Sequence, residues 1–177
     1  MEIIRGKDFC FKDTCVTIGK FDGVHLGHRS ILSMMNKIKK EQGCKTVVLT
    51  FDFSYFSDNA EERLNTYDEK IRLLEKSDID LMIDYPFDDV TRKLLARDFV
   101  KKVLIDKLGM KAIVIGDNFR FGYRALGDTE LLKELGNTYG FDAFVVPCVK
   151  YDGAAISSTR IREELKHGHF SEAEKML

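Results

Sequence analysis

Ten residues, Gly19-Lys20-Phe21-Asp22-Gly23-Val24-His25-Leu26-Gly27-His28, carry the most specific chemistry in the chain. They follow the β-branched run Val16-Thr17-Ile18 and precede a segment of helical periodicity, so they read as a strand-to-helix turn. His25 and His28, three apart, share one face of the first helical turn. The unpaired N–H groups of a helix start favour phosphate, and glycines let a ligand approach the backbone. Two imidazoles there could donate hydrogen bonds to oxygens whose charge shifts during displacement at phosphorus. Positioning and electrostatics then carry the rate, with no covalent nucleophile. The pair could instead cap the helix or supply zinc ligands, although no third His or Cys lies nearby and Asp22 stands alone.

Three further segments hold chemistry. Leu49-Thr50-Phe51-Asp52-Phe53-Ser54-Tyr55-Phe56 crowds four aromatics past a strand end, where they wall a planar ligand or pack a lid. Gly116-Asp117-Asn118-Phe119-Arg120-Phe121-Gly122 combines a carboxylate, an amide, a guanidinium and two rings. That set suits a heteroaromatic ligand, and equally a structural turn with a solvated Arg. Ile156-Ser157-Ser158-Thr159-Arg160-Ile161-Arg162 puts hydroxyls and two Arg at a helix start, which is capping material or a polyphosphate clamp.

The elements that must position these segments alternate in period. Strand candidates at Cys15–Ile18, Thr46–Thr50, Leu81–Asp84, Ala112–Ile115 and Ala143–Val146 are separated by helical patterns. Those patterns cover Arg29–Glu41, Tyr67–Lys76, Arg97–Leu108, Asp128–Tyr139 and Thr159–Lys166, with Ser171–Leu177 as a last short helix. Alternation of this kind predicts an α/β fold with a mainly parallel sheet and helices on both faces. Ligands of such sheets bind beyond the carboxyl ends of the strands, where the His turn falls. At 177 residues the chain suits one domain, 1–177, with no repeat or linker. A net charge of -1 excludes a general basic field for nucleic acid. No apolar run is long enough for a membrane helix, and the start does not read as a signal peptide. Cys10, Cys15, Cys44 and Cys148 form no CxxC pair, so reduced cytoplasmic thiols are expected.

Taken in order, the four segments resemble the FMN adenylyltransferase domain of the bacterial bifunctional riboflavin kinase/FAD synthetases. His25-Leu26-Gly27-His28 matches the HxGH signature of the wider nucleotidyltransferase superfamily, and Ser157–Arg162 resembles its SSTxxR phosphate motif. Phe21-Asp22-Gly23 and Gly116–Gly122 are similar to the flavin enzymes specifically. The resemblance implies a Rossmann-like three-layer α/β/α fold and the reaction ATP + FMN → FAD + pyrophosphate, with Mg2+ accompanying ATP. It implies His25 and His28 as the catalytic pair. Gly19, Phe21, Asp22, Gly23, Gly27, Ser158, Thr159 and Arg162 would meet ATP, and Phe51, Asp52, Phe53, Asn118 and Phe121 the flavin. No metal-binding side chain is assigned.

Two loops depart from the family pattern. Phe53-Ser54-Tyr55 stands where the family has Pro-His-Pro, losing two φ-locking prolines. Tyr123-Arg124-Ala125 stands where it usually has Lys-Gly-Arg, and both changes are expected on the flavin side. The riboflavin kinase domain is expected to be absent from residues 1–177, since no kinase motif is read within them. Adenylyl or cytidylyl transfer to another acceptor, and nucleotide or flavin binding without turnover, are the competing readings.

Overall fold

The computed structural model of the chain describes residues 1–52 and 63–177, Asp52 by its backbone alone. Six strands, β1 (Glu2–Arg5), β2 (Thr14–Ile18), β3 (Lys45–Asp52), β4 (Leu81–Pro86), β5 (Met110–Gly116) and β6 (Asp142–Val146), pair in parallel throughout. Their order is β1-β4-β3-β2-β5-β6. The five expected strands are all present, each of them one to three residues longer. The sequence does not announce β1, because its four residues lie at a sheet edge with an exposed and half-buried pattern. The central strand β2 is buried at every position. A strand covered on both faces reads as a continuous apolar run, which is how Val16-Thr17-Ile18 reads.

The main helices are α1 (Leu26–Gln42), α2 (Tyr67–Glu75), α3 (Asp89–Arg92), α4 (Ala96–Phe99) and α5 (Thr129–Tyr139). Leu32, Met35 and Ile38 of α1 and Leu74 of α2 bury one face of the sheet with Val48, Met82 and Val114. Phe99 of α4, Val103, Leu104 and Leu108 after it, and Leu132 and Leu135 of α5 cover the other. The result is a three-layer, Rossmann-like α/β/α arrangement. Arg97–Leu108 is not the single α-helix expected: after α4, residues Val100–Ile105 wind as a π-helix. The amides of Asp106 and Leu108 reach carbonyls five residues back, on Lys101 and Val103. Apolar spacing is compatible with either winding, so periodicity could not separate them. The helix ends follow local chemistry. Thr66 and Glu69 form a reciprocal capping box on α2, and Gly43 and Gly140 close α1 and α5 in the left-handed conformation.

A two-stranded hairpin, β7 (Lys150–Tyr151) and β8 (Ala154–Ala155), leads to α6 (Ser158–Lys166) and α7 (Phe170–Met176). Ile156, Ile161, Ala173 and Met176 form a separate small core there, packed on Leu26 and Leu64. The chain leaves β2 toward β3 on one side, while β5 and β6 lie on the other. Neighbouring strands with diverging connections open a crevice at their carboxyl ends, and the site lies in that crevice.

Candidate active site

A cleft of about 1240 Å³ runs across the carboxyl ends of the sheet. That exceeds the usual space of a single small ligand, ~300–1,000 Å³. Its centre is the turn between β2 and α1. His25 caps α1: its Nδ1 accepts the backbone N–H of His28 at 3.4 Å. An accepting Nδ1 leaves the proton of the neutral ring on Nε2. The two imidazoles stack with centroids 3.7 Å apart at 21°, and His28 lies against Phe21 at 4.7 Å. His28 Nδ1 is buried with no hydrogen-bond partner among the described residues, which leaves Nε2 as the ring's other polar atom. Burial pushes His25 down to about 4, partly offset by Asp22. Burial and the adjacent His25 push His28 down to about 3. Both are therefore neutral N–H donors at pH 7.

The turn that presents them is strained. Phe21 has φ 50 and Val24 φ 39, in the left-handed region that a β-branched residue rarely adopts. Each such residue costs on the order of 1–3 kcal/mol, so surrounding bonds must hold it. Asp22 supplies them. Its Oδ1 accepts the N–H of Leu64 at 2.8 Å and of Asn65 at 3.4 Å, and its Oδ2 takes the Arg162 guanidinium at 2.6 Å. Ser158 Oγ donates to the Asp22 carbonyl at 2.8 Å. Asp22 thus ties the His turn to α6 and to the segment leading into α2. The glycines serve this packing too. A Cβ on Gly19 would meet the Phe21 ring at 3.1 Å, and one on Gly27 the His25 ring at 3.1 Å. Gly23, at φ +84, backs onto Leu64 and Leu177 and does not line the cleft.

The opposite wall is the start of α6. Ser157, not Ser158, is the cap: its Oγ accepts from Arg160 N at 3.2 Å. Ser158, Thr159 and Arg162 line the cleft, with Arg162 also reaching Thr159 Oγ1 at 3.3 Å. Arg160 turns away and holds the β7–β8 hairpin through the carbonyls of Tyr151 and Ala154.

On the flavin side, Phe51 and Asn118 line the cleft. Phe51 also packs edge-on against Phe87 at 5.3 Å, so it is both a wall and part of the core. The side chain of Asp52 and all of Phe53 lie outside the described residues. Phe121 does not line the cleft: it is 7% exposed and belongs to the core beside Phe99. Phe119, stacked on it at 5.5 Å and 13°, is the ring that faces the cleft. The family resemblance pointed to Phe121, and the paired amides and carbonyls of Phe121 and Gly127 turn that ring into the core instead. Asp117 is engaged structurally, accepting the N–H of Cys148, and Arg120 pairs with Asp128.

A family model described as FAD synthetase matches residues 6–160. The chain belongs to the FAD synthetase family. It is 37% identical over 185 residues to the bifunctional riboflavin kinase/FMN adenylyltransferase of Buchnera aphidicola subsp. Schizaphis graminum, and 34% identical to that of Escherichia coli strain K12. All of this chain is covered in both comparisons, and 59% of each relative, so it spans about three fifths of their length. A solved structure described as a macrolide-efflux protein from Streptococcus pneumoniae matches with a TM-score of 0.87 at 27% identity. That match covers 99% of this chain and 60% of the other, and supports the fold.

One departure from the FAD synthetase pattern proves remote from the cleft. Tyr123-Arg124-Ala125 makes a tight turn beyond the described cleft lining, with the Tyr123 amide on the Leu94 carbonyl at 2.7 Å. Arg124, where the family usually has Gly, keeps a φ of 55, a left-handed conformation that suits glycine better. A second feature was missed altogether. Arg5, Tyr67, Lys70 and Asp84 line the far end of the cleft, toward β4 and β1. Tyr67 donates to Asp84 Oδ2, Lys70 reaches Thr50 Oγ1 at 3.3 Å, and Arg5 and Lys70 stand over the Tyr67 ring at 5.3 and 5.5 Å. Burial and the bond to Asp84 raise the Tyr67 hydroxyl above its ordinary value. Only the register Arg5↔Asp84↔Thr50 joins these residues, and no local motif carries it.

Proposed function

We propose that this chain transfers AMP from ATP to FMN, giving FAD and pyrophosphate. The observation that supports it best is the pairing of two helix starts across one cleft. The stacked His25 and His28 open α1, and Ser158, Thr159 and Arg162 open α6, with Asp22 bonded to both. In this reading a phosphate oxygen of FMN attacks the α-phosphorus of ATP, a P–O bond forms, and the opposite P–O bond breaks as pyrophosphate leaves. His25 and His28, neutral and buried, donate through Nε2 to the oxygens that gain charge. One such donor contributes about a hundred- to a thousandfold in rate. The α6 start, with its free N–H groups, two hydroxyls and the Arg162 guanidinium, holds the β- and γ-phosphates. Arg162 must then divide itself between Asp22 and phosphate.

Gly19 and Gly27 let the nucleotide approach the turn, Phe21 backs His28, and Asp22 acts as a positioning residue for Arg162. Gly23 supports the turn from behind. Phe51, Phe119 and Asn118 form the flavin wall, with Asp52 and Phe53 carried as proposals from the family resemblance. Phe121 supports that wall from the core. Magnesium would arrive within the MgATP substrate; among the described residues no three His, Cys, Asp or Glu side chains stand together as a cage. Among the same residues no helix is long and apolar enough to cross a membrane. The cytoplasm, where ATP and FMN are found, is the proposed compartment.

Incubation of the 177-residue chain with MgATP and FMN tests the reading. FAD and pyrophosphate in equal amounts are expected, with riboflavin left unphosphorylated. Pyrophosphate release that needs a different phosphorylated acceptor would replace FMN in the proposal. Nucleotide and flavin binding without product would remove the catalytic claim.

A further inference from the structure

The polar group at the far end of the cleft lies outside the two helix starts assigned to phosphate, and its composition points to a particular ligand edge. Asp84 is 8% exposed yet lines the cleft. Tyr67 holds its Oδ2, and no described residue bonds Oδ1. Arg5, its register partner on β1, and Lys70, one turn along α2 from Tyr67, both stand over the Tyr67 ring, at 5.3 and 5.5 Å from its centroid. The cleft therefore ends in a carboxylate acceptor with two cationic donors gathered at the tyrosine that holds it. A ligand edge that suits this set of one acceptor and two donors is that of a cyclic imide: C=O, N–H, C=O.

Position supports the same ligand. With strands about 4.8 Å apart, β4 lies roughly 10 Å and β1 roughly 14 Å from β2. A molecule whose reacting phosphate sits at the His turn meets Asp84 with its opposite end. A phosphate there would face a carboxylate that is nearly buried, at a high electrostatic cost. We propose that Asp84, positioned by Tyr67 and joined at that ring by Arg5 and Lys70, is the specificity element for the acceptor ring. It accepts the imide N–H of the isoalloxazine, and the two cations donate to the neighbouring carbonyls. The inference rests on the reading of FMN as acceptor. It goes beyond that reading by assigning recognition to residues outside every motif, and it makes the imide edge the part of the flavin that is selected.

The test compares FMN with 3-methyl-FMN, in which the imide N–H is replaced by N–CH3. Binding is followed by quenching of flavin fluorescence with saturating non-hydrolysable ATP analogue, and turnover by FAD formation with MgATP. One hydrogen bond to a charged group lost from a desolvated site predicts binding of the methyl compound weaker by about ten- to a hundredfold. The Kd for the ATP analogue should not move. In Asp84→Ala the two flavins should bind alike, at the level of the methyl compound. Equal binding of the two flavins to the unaltered chain would overturn the proposal whether or not any variant folds. So would Lys70→Met if it weakened ATP analogue binding and left FMN binding unchanged. Discrimination in binding without FAD formation would support the imide site while overturning FMN adenylylation, so the two failures are distinguishable.

Discussion

The two ends of the cleft are built in opposite ways. At the His turn, short residues and the backbone define the geometry: left-handed Phe21 and Val24, a ring stack at 3.7 Å, and Asp22 with both oxygens committed. At the β4–β1 end, the long side chains of Arg5 and Lys70, from β1 and α2, converge on Tyr67, which in turn holds Asp84 of β4. Backbone geometry is costly to deform, whereas Arg and Lys carry many rotamers that must be ordered when a ligand arrives. The chemistry at phosphorus tolerates little displacement, since small misplacements of reacting groups cost large factors in rate. Recognition of a ring edge tolerates more. The molecule accordingly spends backbone strain at one end and side-chain ordering at the other.

The sharpest way to break this comparison is His28→Ala. Turnover should fall by about a hundred- to a thousandfold, with ATP binding weakened far less, because ground-state binding is shared among many groups. Turnover within a few-fold of the unaltered chain would remove the donor role. Next in size is Asp22→Ala, which frees Arg162 and leaves the amides of Leu64 and Asn65 without their acceptor. A fall of about ten- to a hundredfold in kcat/KM is expected, with a loss of roughly 1–3 kcal/mol in stability by chemical unfolding. A stability loss with unchanged kinetics would show that Asp22 holds only the turn.

The element pattern was legible in the sequence because apolar period and glycine stops are local signals. All five expected strands and the His turn at the start of α1 are of this kind. Matters decided by tertiary packing were less legible. Phe119 and Phe121 are equivalent in sequence, and only the Gly127 pairing and the fit of Gly122 and Gly127 against Ala96 turn Phe121 into the core. The role of Asp22 depends on Arg162, 140 positions away. The Arg5, Tyr67, Lys70 and Asp84 group depends on strand register. The family resemblance brought the phosphate residues to hand, and residues outside its motifs had to come from the structure.

Smaller effects sharpen the contrast. Phe121→Ala should lower stability by about 3–5 kcal/mol, as a core aromatic does. Phe119→Ala should leave stability nearly intact and raise the KM for FMN. A larger flavin effect from Phe121 would reverse that assignment. The histidines also carry a pH signature. Both have folded values, about 4 and about 3, below the ordinary 6.5 of the unfolded chain. Between those values the unfolded chain binds more protons, so stability rises with pH, is complete above about 6.5, and is lost as pH falls toward 4. Melting curves from pH 7 to 4 should show this slope, and a variant with both histidines replaced by Asn should show less of it. An identical slope in that variant would place the titrating groups elsewhere.

The central claim is that the cleft directs attack to the α-phosphorus, and isotope position tests it most directly. ATP labelled at the α-phosphorus or at the γ-phosphorus is incubated with FMN, Mg2+ and the 177-residue chain, and the products are separated. The account predicts α-label in FAD and γ-label in pyrophosphate, with both transfers falling together in His28→Ala. A flavin product carrying the γ-label, or γ-label released as orthophosphate without FAD, would contradict it.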